Sequence, residues 1–99
     1  MSGIRGRRGS NVIEKTATIL NKRGLHARAS AKFVNTAGKF DAVVNVSKDG
    51  TEVCGTSIMG LMMLAAAPGD TITLRVTGAE AAQAVAALQD LIAGKFGED

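Results

Sequence analysis

Residues Val12 to Gly38 read VIEKTATILNKRGLHARASAKFVNTAG, and the period of the apolar positions changes partway through them. From Val12 to Leu20, Val, Ile and Thr alternate with polar side chains, so that Ile13, Lys15, Ala17 and Ile19 share one face of a strand. Asn21 to Gly24 breaks that alternation. From Ala27 to Ala37 helix formers take over, with Ala29, Phe33 and Ala37 spaced one helical turn apart and Val34 beside them as a narrow apolar stripe. Gly38 is placed to end the helix.

The same reading extends along the chain. Val43, Val44 and Val46 predict a second strand, and Lys48-Asp49-Gly50 supplies the Asp-Gly turn that joins it as a hairpin to a third, Thr51 to Cys54. Gly55-Thr56-Ser57 opens a short helix over Ile58 to Ala66 that is apolar nearly all round, and Pro68-Gly69-Asp70 stops it. Such a helix is either wholly buried or carries a greasy outer face. Thr71 to Thr77 alternates Ile72, Leu74 and Val76 with polar residues as a fourth strand. Ala79 to Ala93 is a final amphipathic helix with its stripe on Ala81, Val85, Leu88, Leu91 and Ile92. The order is βαββαβα. Strands with one polar face cannot bury themselves, so the expected fold class is α+β, a four-stranded antiparallel sheet covered on one face by three helices. The crossovers are expected to be right-handed.

Composition limits what such a chain can do. Its 99 residues make one small domain with a single core and no room for a deep substrate cleft. With three Phe and no Trp or Tyr the core is aliphatic, and base-stacking recognition of single-stranded nucleic acid lacks its aromatic platforms. The net charge of +3 resides in Arg5, Arg7 and Arg8, since the other basic side chains match the nine acidic ones. Residues 1–11, rich in Gly, Ser and Arg, read as a disordered basic leader and 12–99 as the folded domain. That leader could serve as an arm for nucleic acid or an acidic partner, or have no task at all. Ile58 to Ala67 is too short to span a bilayer, and the single Cys54 suits a reducing compartment, so a cytoplasmic protein is expected. One Cys and one His give no structural zinc site, and no cofactor motif is present in the sequence.

The one histidine, His26, lies where the strand pattern gives way to the helix pattern, two residues before Arg28. A helix start presents unpaired N–H groups and the positive end of the dipole, both favourable to an anion, phosphate above all. A guanidinium adds charge-assisted hydrogen bonds. The pattern suits a histidine that is itself phosphorylated. A histidine there can equally cap the helix and do nothing more.

Gly24-Leu25-His26-Ala27-Arg28-Ala29-Ser30, the Ser-initiated apolar helix Ser57-Ile58-Met59-Gly60-Leu61-Met62-Met63-Leu64 and the Pro-Gly-Asp turn together resemble the HPr family, histidine phosphocarriers of the bacterial phosphotransferase system. The resemblance runs from about Val12 to Ile92 and implies the HPr-like open-faced sandwich. It implies that His26 accepts phosphate on Nδ1 from Enzyme I and passes it to a IIA-type protein, with Arg28 and the helix N–H groups of Ala27 and Arg28 balancing the charge. On this view the chain is a substrate of phosphotransferases rather than an enzyme. It also implies that Ser57 is a site for an HPr kinase/phosphorylase, although a serine there also serves as a plain helix cap. Ile58, Met59, Met62 and Met63 would form the partner-docking patch, with Leu61 and Leu64 turned to the core. The family usually has proline where this chain has Ala29, and alanine restores an N–H and some freedom to the first turn. A monomer is expected, with neither nucleic-acid binding nor membrane insertion. A mainly regulatory member of the family, reporting carbon or nitrogen status, and a non-phosphorylated binding module are the alternatives.

Overall fold

The structure is a computed structural model that describes residues 12–98. The leader expected over residues 1–11 lies outside the described residues. The elements are β1 (Val12–Thr18), α1 (Ala27–Ala37), β2 (Val43–Lys48), β3 (Thr51–Cys54), α2 (Ile58–Met63), β4 (Thr71–Thr77) and α3 (Ala81–Ala93), followed by a 3-10 turn over Lys95–Gly97. Among the described residues no helix is long and apolar enough to cross a membrane.

The four strands form one antiparallel sheet in the order β1-β4-β2-β3. Register follows the alternation in the sequence. Ile13 lies opposite Val76, which lies opposite Val44 on its other side, and Leu74 lies opposite Val46. Val44, Val46, Ile72, Leu74 and Val76 therefore project from one face into a core completed by Phe33, Ala29 and Ala37 of α1, Leu61 of α2, and Ala84, Val85, Leu88 and Ile92 of α3. On the opposite face Arg75 reaches Glu14 and Glu52 at 3.7 and 3.9 Å, exposed contacts that contribute little stability. Asp49 and Gly50 both adopt positive φ, 50° and 85°, as a type I′ hairpin turn requires. Gly69, at φ 91°, and Pro68 make the turn before β4, closed by Asp70 N donating to Ala67 O at 2.9 Å.

Three boundaries differ from the sequence expectation. β1 stops at Thr18 rather than Leu20, because Ile19 leaves the ladder to bond the turn before β4: its N–H donates to Asp70 O and its carbonyl accepts from Gly69 N. α2 stops at Met63 rather than Ala66, since Ala65 takes a left-handed φ of 52° and releases the Ala66 carbonyl to Leu25 N. α3 starts at Ala81 rather than Ala79, after a turn in which the Glu80 side chain accepts from Asp41 N.

Beyond α3, where the sequence offered only the stop at Gly94, the chain turns sharply through Lys95, Phe96 and Gly97 at φ 57°, 56° and 73°. Left-handed φ at two residues with a Cβ costs about 1–2 kcal/mol each. Burial offsets this: Phe96 is fully buried and joins the core. Phe96→Ala should lower unfolding free energy by about 3–5 kcal/mol, measured by urea denaturation, the range for a buried Phe truncated in a core. A loss below about 1 kcal/mol would mean that this side chain is not part of the core.

Candidate functional site

His26 stands as the N-cap of α1 with extended backbone (φ −78°, ψ −178°), and its carbonyl accepts from Ser30 N to begin the helix. Its Nδ1 accepts from the backbone N–H of Arg28 at 3.3 Å. A ring nitrogen that accepts carries a lone pair, so the proton of a neutral ring is on Nε2. Nε2 in turn lies 2.6 Å from Glu98 Oε2, to which it donates. The cap of the helix and a lone pair on Nδ1 thus coexist at this one side chain.

The loop that delivers His26 is held by close backbone packing. Gly24, at φ 64°, lets the chain pass so near Ala66 that a Cβ on it would sit 2.1 Å from the Ala66 carbonyl oxygen. Leu25 N donates to that same oxygen at 3.0 Å, tying the loop to the segment after α2. Ser30 Oγ donates to Leu25 O at 3.2 Å from inside the first turn. α1 begins at Ala27 with Ala29 fully buried, so the helix entry forms with alanine in place of the usual proline.

Three groups at the site were not singled out from the sequence. Glu98 comes from the chain beyond α3. Asn21, fully buried, donates from Nδ2 to Gly24 O at 2.8 Å and to Glu98 Oε1 at 3.1 Å, which leaves its Oδ1 buried without a partner. Lys32, on α1, donates from Nζ to Phe96 O at 2.6 Å and fastens the turn that carries Glu98. The signal that could have pointed there is Phe96 itself, a large apolar side chain flanked by Gly94 and Gly97 just past a helix end, where hydrophobic contacts commonly accompany the termination.

The other candidates are placed as follows. Arg28 is exposed on the first turn of α1 and makes no ion pair among the described residues. Ser57 is the N-cap of α2, half-buried, its Oγ accepting from Gly60 N at 3.0 Å. Ile58, Met59, Met62 and Met63 are all exposed, the two outermost, Met59 and Met63, at 74% and 75%, while Leu61 and Leu64 are buried. α2 is thus half-buried with a greasy outer face. Among the described residues no group of three or more His, Cys, Asp or Glu side chains could hold a metal ion.

Burial of Glu98 works against its ionisation, but hydrogen bonds from Asn21 and His26, with the charges of His26 and Lys32, together outweigh it and hold the carboxyl below the usual glutamate value. The contact therefore stabilises the fold in full above the ordinary carboxylate range, and that contribution is lost as the pH falls through Glu98's own lower value. A carboxyl 13C NMR titration should give Glu98 a midpoint below about 4.3, the unperturbed glutamate value. A midpoint at or above it would contradict the contact.

The family described as "PTS HPr component phosphorylation site" matches residues 13–94 of the chain. A phosphocarrier protein HPr of Neisseria meningitidis serogroup A is 54% identical over 87 residues, covering 88% of this chain and 98% of that protein. One from Cupriavidus necator is 49% identical over the same length, with the same coverage of both. Among solved structures, the crystal structure of HPr-C-His from Thermoanaerobacter tengcongensis superposes with a TM-score of 0.84 at 46% identity, covering 88% of this chain and 98% of that one. With sheet order, helix placement and sequence in agreement over nearly all of the described residues, the chain belongs to the HPr phosphocarrier family.

Proposed function

We propose that this chain carries phosphoryl groups in a phosphoenolpyruvate-dependent phosphotransferase system, accepting them on Nδ1 of His26 from a phosphorylated Enzyme I-type protein and passing them to a IIA-type protein or domain in the cytoplasm. The observation that supports this best is the lone pair of Nδ1 at the start of α1, toward the Arg28 N–H. A phosphoryl group bonded there meets the positive end of the helix, and the exposed Arg28 side chain, two residues on, is free to turn its guanidinium toward it. These groups balance the dianion without enclosing it, as suits a carrier that must release what it holds.

The exposed face of α2 supports a docking role for Ile58, Met59, Met62 and Met63. Methionine side chains refit to several surfaces in turn, and a carrier must meet a donor and then an acceptor. Ser57 fits a regulatory reading of the same face. Its Oγ already sits at a helix start that tolerates negative charge, and a phosphate there would add about −1.5 to −2 charges beside the greasy patch, repelling acidic partners and costing desolvation on docking.

Incubation of the full chain with phosphoenolpyruvate and an Enzyme I should add one phosphoryl group, seen by intact mass as an acid-labile adduct that is absent in His26→Ala. A folded wild-type protein that takes no phosphate from any of several Enzyme I types would sink the carrier reading. Met59→Glu should raise the apparent KM for Enzyme I about tenfold, because an unpaired carboxylate would be desolvated on docking. Its unfolding free energy should stay within about 0.5 kcal/mol of wild type, as for other surface substitutions. An unchanged KM would remove Met59 from the docking face.

A further inference from the structure

The carboxylate of Glu98 is aimed at His26 by parts drawn from distant stretches of the chain. Phe96 anchors the turn in the core, and Lys32 Nζ holds its carbonyl at 2.6 Å. Gly97 N and Glu98 N donate back to Gly94 O and Lys95 O at 3.0 and 2.9 Å, which fixes the direction in which the chain leaves the turn. Asn21 Nδ2 then grips Oε1 while Oε2 faces the imidazole. Both side chains of the pair are largely shielded, His26 at 19% and Glu98 at 16% exposure. A solvated surface contact would not need a left-handed turn, a buried Phe and a buried Asn to build it.

We propose that Glu98 is a positioning residue for phosphoryl transfer through His26: by accepting the Nε2 proton it keeps the lone pair on Nδ1 and balances the positive charge the ring acquires when Nδ1 bonds to phosphorus. This rests on the reading of His26 as the phosphoryl acceptor. In the accepting step the Nδ1 lone pair forms a bond to phosphorus while the donor's P–N bond breaks, its electron pair leaving on the donor's imidazole nitrogen. The Nε2 proton stays where it is, bonded to Nε2 and shared with Glu98. The product is a phosphoryl group on a ring that bears a formal positive charge, paired across the ring with a carboxylate. In the donating step the Nδ1–P bond breaks, its electron pair returns to Nδ1, and the ring departs as a neutral imidazole. Were the Nε2 proton lost, the leaving group would be an imidazolate, a far poorer one. Glu98 therefore serves both acceptance and release, from the side of the ring that no partner needs to reach.

The test uses the 99-residue chain and its Glu98→Gln and Glu98→Ala variants, phosphorylated with potassium phosphoramidate, a small donor that bypasses docking. Three quantities are followed: the rate of phosphorylation at His26, the hydrolysis rate of the isolated phosphoprotein at neutral pH, and the Nε2–H signal of the ring in 15N NMR. Both variants should accept phosphate about tenfold more slowly, the lower end of what loss of a carboxylate partner costs a metal-ligating histidine. Both phosphoproteins should also hydrolyse several-fold more slowly than wild type, because the ring holds its Nε2 proton less well. Simple loosening of the fold would not protect a P–N bond, so slower hydrolysis separates positioning from structural damage. The Nε2–H signal should be sharp and downfield in wild type and lost in Glu98→Ala. Wild-type rates in both variants, or faster hydrolysis, would overturn the role of Glu98 while the carrier reading stands. A wild-type chain that takes no phosphate on His26 from phosphoramidate or from Enzyme I would overturn both.

Discussion

Pairing of β1 with β4 along the full length of both strands, Val12 opposite Thr77 to Thr18 opposite Thr71, is the constraint from which the site follows. It sets the loop after β1 beside the turn before β4, and the bonds of Ile19 to Gly69 and Asp70 continue the ladder past the strand end. With those segments adjacent, Gly24 passes against Ala66 and Leu25 bonds its carbonyl. Only a residue without a Cβ, and able to take positive φ, allows that approach. The histidine is placed by the sheet as much as by the helix that it caps.

The same pairing puts β4 in the middle of the sheet, flanked by β1 and β2. Its three buried side chains, Ile72, Leu74 and Val76, form the floor on which α1 and α3 pack. α1 is held at its start by Ser30 and at its flank by Phe33, so the first turn, where Nδ1 meets the Arg28 N–H, forms without a proline in it. N–H groups oriented in this way need not reorganise when an anion arrives.

Much of this was legible in the sequence because period and turn chemistry are local. The alternation in Thr71–Thr77, the Asp49-Gly50 turn and the Ala29, Phe33, Ala37 stripe each specify their own element without help from the rest of the chain. His26 could be found because a histidine between two patterns is conspicuous. Glu98, Asn21 and Lys32 could not, since nothing within a few residues of them marks their role: they meet only once the chain beyond α3 has folded back. That return depends on Lys95 and Phe96 taking a conformation that propensity disfavours, with tertiary burial of one aromatic ring outweighing local preference. The early end of α2 has a similar origin, a backbone carbonyl drawn to a partner far away in sequence.

The order β1-β4-β2-β3 leaves β1 and β3 as the sheet's two open edges. β3 is only four residues long and carries the exposed Glu52, while β1 sets exposed Glu14, Lys15 and Thr16 along its length. Neither edge offers a long apolar ladder of free backbone groups, the usual template for chain-on-chain aggregation. The two most exposed large apolar side chains among the described residues, Met59 and Met63, lie instead on a helix, whose backbone is already hydrogen-bonded and cannot recruit a strand. Stickiness on that helix lies in side chains, where contacts are brief and reversible, and away from the backbone, where they would not be.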